Sequence, residues 1–148
     1  MDNSDRALLE QLISKGVFDV PLEMTHGLKE FGARLVKGEP GVIELSFQVP
    51  ETTTQGNGVV SGGALTTMLD YAMAYAVLSK LKYGKTCATT SITVNMQAAA
   101  EPSLMRVVGT VDRVGRQVAF ARSEIYDVKD RLIANSSATF FVMDVVSG

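Results

Sequence analysis

Residues 56–70, GNGVVSGGALTTMLD, place four glycines within eight positions and then one carboxylate in an uncharged, largely apolar run. Gly62 and Gly63 stand where a long helix begins, and the first N–H groups of a helix have no partner inside it. The helix dipole favours negative charge at that end. With no side chain in the way, a carbonyl oxygen can reach the backbone at Gly62, whose N–H could then stabilise an oxyanion as it forms. Gly63 would allow close packing of the helix start; the alternative is that the pair is only a flexible entry into the helix. Asp70 is the sharper residue, because a carboxylate on a buried helix is costly unless it is paired or solvated. Its neighbours one turn away, Thr66, Thr67, Met73 and Ala74, include no cation. The small Thr66 and Ala74 leave room for a ligand on that face. The bland alternative is a carboxylate that meets solvent or caps a neighbouring strand.

Other candidates surround this stretch. Gln55 can donate a side-chain N–H to a substrate oxygen or fix the loop, or it is an ordinary polar loop residue. Ser61 either offers its hydroxyl to the site or serves as an N-cap. Arg113 and Arg116 bracket Gly115 in RVGR and carry the charge that phosphate groups require; otherwise they keep a hairpin turn solvated. Met68, Tyr71 and Met73 are placed to influence the depth of a pocket. The single Cys87 excludes an internal disulfide, and with only His26 beside it no metal cluster can be assembled. No Ser–His–Asp arrangement follows from their order or spacing.

The elements that must position these residues can be read in outline. SDRALLEQLISKG predicts a short amphipathic helix with Ser4 or Asp5 as N-cap and Gly16 beyond its C-terminus. FDVPLEMTHGLKEFG reads as an irregular connection. ARLVKGEPGVIELSFQVP predicts two strands around the turn KGEPG, and ETTTQGNG a polar loop. From about Gly63 to Leu81 the chain lacks proline and is rich in Ala, Leu and Met. Apolar residues lie almost all round it, the mark of a buried helix about 28 Å long. Lys80, Lys82 and Lys85 suit its C-terminus and Gly84 its stop. Everything afterwards reads as four consecutive antiparallel strands. A long helix that is apolar on most faces must be wrapped by its sheet, so the expected class is α+β with a curved antiparallel sheet around a central helix.

Composition bounds the rest. The 148 residues suit one domain over 1–148, with 1–27 as an N-terminal helix and connection. With 46% hydrophobic and 20% charged residues the chain has an ordinary globular composition. Its net charge of −2 predicts no general attraction to nucleic acid or to an anionic membrane. The start is unlike a secretory signal and no apolar run is long enough to span a bilayer, so a cytoplasmic location is expected.

The element order and the glycine motif together resemble the hotdog-fold acyl-CoA thioesterases, above all their PaaI-like and hydroxybenzoyl-CoA branch. The resemblance covers roughly residues 28–144. Its most specific part is a Gln followed six residues later by His-Gly-Gly and, nine residues after that His, by an acid. Gln55 stands at the Gln position, Ser61-Gly62-Gly63 at His-Gly-Gly and Asp70 at the acid, so Ser61 replaces the usual His. VGRQVAFARSEIYD is similar to the family's Gly-Arg turn and following strand, and LIANSSATFFVM to its closing strand. The resemblance implies that Asp70 is the nucleophile or the general base of thioester cleavage. It also implies a contribution of Gly63, Thr66, Arg113 and Arg116 to binding acyl-CoA as substrate, with no metal and no bound cofactor.

From Gly62 to Asp70 is about 12 Å along a helix axis, whereas reacting atoms must approach to roughly 3–3.5 Å. One chain therefore cannot offer both groups to one carbonyl carbon. A homodimer with shared sites is expected, and the family implies its pairing into a homotetramer. The expected function is hydrolysis of an acyl-CoA thioester. The alternatives are a non-catalytic acyl-CoA-binding protein and, more remotely, an acyl-thioester hydratase or dehydratase.

Overall fold

A seventeen-residue helix, Gly62–Leu78, packs on one face of a seven-stranded sheet in the computed structural model, which describes residues 1–146. In chain order the elements are α1 (Ser4–Lys15), β1 (Val20–Pro21), α2 (His26–Glu30), β2 (Arg34–Glu39), β3 (Val42–Gln48), a 3-10 turn (Glu51–Thr53), α3 (Gly62–Leu78), β4 (Lys85–Met96), β5 (Leu104–Val114), β6 (Val118–Tyr126) and β7 (Leu132–Asp144). The strands lie in the order β1-β2-β3-β5-β6-β7-β4, and every neighbouring pair is antiparallel. Helix α3 touches β3, β4, β5, β6 and β7, so the sheet curves around its apolar side. The α+β expectation holds.

Alternation supplies the core. Met105 and Val107 of β5, Ala119, Ala121 and Ile125 of β6, and Ala138 and Phe140 of β7 are buried toward α3. Leu65, Met68, Leu69, Ala72, Met73 and Ala76 form the helix face that meets them. At Gly109 the helix comes so close that an added Cβ would overlap the carbonyl of Ala72. Gly109 is thus fixed by close approach of two backbones rather than by its own dihedral angles.

Four local expectations need correction. Asn3, not Ser4 or Asp5, caps α1, accepting from Arg6 N–H at 2.9 Å, although Gly16 does end the helix in the left-handed region at φ 63°. The segment read as irregular contains α2, whose first turn is capped by Thr25 and anchored by the fully buried Leu28. Five residues are too few to display a helical period, so the pattern was invisible. Helix α3 stops at Leu78 with no basic residue in its last turn, and Lys85 instead pairs with Asp144 at 2.7 Å across β4 and β7. Nor is α3 buried all round: Gly63 is exposed and Thr66, Thr67, Asp70, Tyr71 and Ala74 are half-exposed, forming an open stripe. No helix among the described residues is long and apolar enough to cross a membrane.

Candidate active site

The open stripe of α3 faces β4, and β4 is an edge strand joined to the sheet only through β7. Pairing of β4 with β7 shifts register between Thr89 and Ser91, a bulge at Thr90. The Thr90 hydroxyl secures it, donating to Thr139 O at 3.0 Å. Residues opposite one another in a ladder share a face. Cys87 and Thr89 lie opposite the buried Val142 and Phe140, and Ile92 and Met96 opposite the buried Ala138 and Ala134. All four therefore point toward α3 on either side of the bulge, which re-aims the strand without turning its apolar residues outward.

Thr89 is the one that meets the carboxylate. Its Oγ1 donates to Asp70 Oδ1 at 2.7 Å, and this is the hydrogen bond that the Asp70 side chain makes among the described residues. Asp70 is half-exposed and has no ion-pair partner among them. Cys87 lies beside it: burial, and then the Asp70 charge, push its thiol up to about 12. A thiol so placed stays protonated near neutrality and is a poor nucleophile.

At the other end of the motif, the N-terminus of α3 is open. Ser61 is extended, at φ −66° and ψ 150°, and its Oγ accepts from Ala64 N–H at 3.1 Å, so Ser61 is the N-cap. Thr66 and Thr67 donate their hydroxyl protons back to Gly62 O at 2.8 Å and Gly63 O at 3.0 Å. The N–H of Gly62 makes no hydrogen bond among the described residues. An added Cβ at Gly62 would meet Met96 Cε at 3.2 Å, and Met96 itself is 51% exposed at the end of β4. At Gly63 an added Cβ would meet nothing within 4 Å, so the close packing expected there is not found.

Gln55 sits at the tip of the preceding loop, its N–H donating to Val59 O at 2.8 Å and its carbonyl accepting from Gly58 N–H at 2.9 Å. The loop is fastened by Ser61 N–H to Thr53 O at 2.9 Å and by Val60 N–H to Ala100 O at 2.8 Å. The Gln55 side chain is exposed and makes no hydrogen bond among the described residues. Arg113 and Arg116, both exposed, lie at the β5–β6 hairpin. Gly62 lies against Met96, which the ladder sets level with Val107 of β5, roughly 20 Å along the strand from Arg113. The hairpin is nearer to Asp70: Val118, two residues after Arg116, pairs with Phe141, and Phe141 pairs with Ala88. Within one chain, then, Asp70, Thr89, Cys87 and Arg116 fall on one side, and Gly62, Gln55 and Met96 on the other.

Of the three pocket candidates, Met68 and Met73 are sealed in the core, while Tyr71, half-exposed on the open stripe, stacks on Phe47 and Tyr75 beneath Gly27. His26 opens α2 and is no part of the site. Thr89 and Met96 are the residues that sequence reasoning missed. Thr89 is one of several hydroxyl residues in TCATTSITV, and only the bulge singles it out.

An antiparallel sheet wrapped on a long helix whose glycine-bearing N-terminus stays open defines a hotdog-fold protein. The chain belongs to the thioesterase superfamily, whose family model matches residues 57–134. It is 28% identical over 113 residues to a protein of Saccharolobus solfataricus that carries an esterase name, covering 75% of this chain and 73% of that one. A thioesterase family protein of Silicibacter pomeroyi superposes with a TM-score of 0.80 at 24% identity, covering 95% and 99% of the two chains. The PaaI protein of Escherichia coli, from the phenylacetic acid degradation operon, does so with a TM-score of 0.76 at 17% identity, covering 95% and 96%. Membership of this superfamily supports a hydrolase acting on thioesters.

Proposed function

We propose that the chain hydrolyses acyl-CoA thioesters in sites shared by two copies, releasing a free acid and coenzyme A. The observation that carries this reading is the Asp70–Thr89 pair: a half-exposed carboxylate held by one hydroxyl, with no cation, on the open side of the central helix. The thioester carbonyl oxygen would rest on the Gly62 N–H, with the Gln55 amide as second donor. Asp70 of the other copy would attack the carbonyl carbon to give a mixed anhydride, or take a proton from a water that attacks it. Either way the thiolate of coenzyme A departs and is protonated, and the oxyanion is stabilised where it forms. On the first route water then cleaves the anhydride, freeing the acid and restoring the Asp70 carboxylate. Arg116, which lies on the Asp70 side, would meet the phosphates, with Arg113 beside it.

The shared site is supported by three features. Gly62 and Asp70 are about 12 Å apart on one helix. Helix α3 leaves its functional stripe open. The twelve-residue β4 presents an edge to solvent, a ready template for a second chain. Pairing of two such dimers is part of the same proposal, and the exposed Phe120 and Phe141 on the outer sheet face would serve it.

Release of free thiol from a panel of aryl, short-chain and long-chain acyl-CoAs tests the activity. Asp70→Asn should lower kcat by about 10²–10⁴-fold with the melting temperature unchanged. Tight binding of acyl-CoA without turnover by the parent chain would instead make it a binding protein. Mixed dimers of an Asp70→Asn chain with a Gln55→Ala/Gly62→Pro chain should regain about one working site per pair. Inactive but well-folded mixed dimers would overturn the shared site.

A further inference from the structure

We propose that Gly109, Ser123 and Ser136, buried on three adjacent strands, are positioning residues for Asp70. They set the depth and rotation of α3 at the turn that carries the carboxylate. The proposal rests on the catalytic reading of Asp70 given above.

The contacts converge on one helical turn. A Cβ at Gly109 of β5 would overlap the Ala72 carbonyl and lie 2.9 Å from Met73 N, so the helix backbone itself rests on the strand. Ser123 of β6 donates from Oγ to Leu69 O at 3.2 Å. Its hydroxyl lies 2.6 Å from that of Ser136 on β7, and Ser136 Oγ reaches Met73 Sδ at 3.5 Å. Every contact thus falls on Leu69, Ala72 or Met73, which bracket Asp70 in sequence.

Geometry then dictates where Asp70 points. Successive residues turn by about 100° around a helix axis. With Leu69, Ala72 and Met73 seated on the sheet, Asp70 is turned away from that line and toward β4. There it accepts the 2.7 Å hydrogen bond from Thr89. In the sheet β4 pairs with β7, the strand that carries Ser136, so one strand bears on both partners of the carboxylate pair.

The choice of serine is informative. Arg6, Glu44, Ser123 and Ser136 are the buried polar or charged residues among those described, and two of these four bear on this single turn. Burying hydroxyls in an apolar core is costly unless each is hydrogen-bonded. What a hydroxyl provides and packing does not is direction. A hydrogen bond to the Leu69 carbonyl resists rotation of the helix as well as its withdrawal.

The test uses Cys87 as a reporter that does not depend on turnover, since its thiol is held up by burial and by the Asp70 charge. In Ser123→Ala/Ser136→Ala both hydroxyls go together, so neither is orphaned, and Leu69 O keeps its bond within the helix, so the fold should survive. The expected result is a kcat lowered about 5–20-fold with KM within about twofold and the melting temperature within about 3 °C. Alkylation of Cys87 by iodoacetamide at mildly alkaline pH should quicken several-fold, as it should in Asp70→Asn. Adding the serine changes to Asp70→Asn should bring no further increase, because the charge is already gone. Gly109→Ala should lower kcat further and also the melting temperature. If Gly109→Ala does not fold, the serine pair decides. Parental kcat with parental alkylation in the serine pair would overturn the proposal. So would a kcat loss that merely follows a loss of stability, or an alkylation increase that persists without Asp70. If the parent chain hydrolyses no thioester, the catalytic reading fails, while the alkylation cycle still decides whether these residues hold Asp70.

Discussion

At its C-terminal end α3 is closed in by α1, whereas its N-terminus and outer stripe stand open. The closed end is dense with paired charge. Arg6, only 4% exposed, reaches Asp2 at 2.6 Å, Glu10 at 2.7 Å and Leu81 O at 3.3 Å. Asp2 also accepts from Gly84 N–H at 2.9 Å, Asn3 donates to Thr86 Oγ1 at 2.9 Å, and Tyr75 donates to Asp5 at 3.2 Å. Burial, and after it the Asp5 charge, push the Tyr75 hydroxyl well above its ordinary value, so it remains a donor. At the open end Asp70 has one partner, the Gly62 N–H and the Gln55 amide have none among the described residues, and glycine replaces side chains. The contrast follows from solvent. Where water is excluded every polar group must find a partner inside the chain, whereas groups near water can keep bonding capacity for a ligand. One end of the helix is closed by paired groups, and the other keeps its bonding capacity open.

The comparison can be broken at either end. Gly62→Pro should lower kcat by about 10²–10³-fold, since it removes the N–H offered to the oxyanion. Its fold should hold, because Gly62 is the first helical residue, where proline is tolerated, and Ser61 already has the extended ψ of 150° that precedes proline. A parental kcat in this variant would remove Gly62 from the site. Thr89→Val keeps the shape of the β4 side chain and deletes its hydrogen bond to Asp70. We expect roughly tenfold lower kcat, read in the same thiol-release assay with little change in melting temperature.

The closed end should answer in the opposite sense. Arg6→Leu leaves Asp2 without its guanidinium, and a fall in melting temperature of roughly 4–8 °C is expected, by calorimetry, with kcat close to parental. The smallest effect is in acid. The Arg6 guanidinium holds the Asp2 carboxyl well below its ordinary 3.8, so the clamp contributes fully above that value and is lost as pH falls toward the folded one. Between about pH 4 and pH 2 the parent chain should therefore lose stability more steeply than Asp2→Asn. Parallel melting curves for the two would show that the clamp does not titrate there.

Much of this was legible in the sequence. The strands β2 to β7, the central helix and the opposed placement of Gly62 and Asp70 follow from periodicity, turn residues and the length of a helical rise. The resemblance carried by Gln55, Gly62 and Asp70 pointed to the superfamily that the family model shows. Less was visible at short range. The helix α2 is too brief to carry a period, and Arg6 reads as one more surface charge until Leu81 and Asp2 are brought around it. Gly63 reads as a packing residue until the space beside it is seen to be empty. Thr89 could not be chosen over Thr86, Thr90 or Thr93, since a one-residue bulge reverses which of them face the helix.

By itself the sequence determined a long apolar helix that starts on glycines and holds one acid, inside an antiparallel sheet. These are local properties: propensity, capping and period are set by residues within a few positions of one another. Only the tertiary structure decided what Asp70 touches, that Ser61 caps α3, and that Arg116 lies on the side of Asp70 and far from its own Gly62. Those outcomes depend on strand register and on how closely α3 settles on Gly109, Ser123 and Ser136. Register and depth are fixed by the packing of the whole sheet, so no short stretch of chain encodes them.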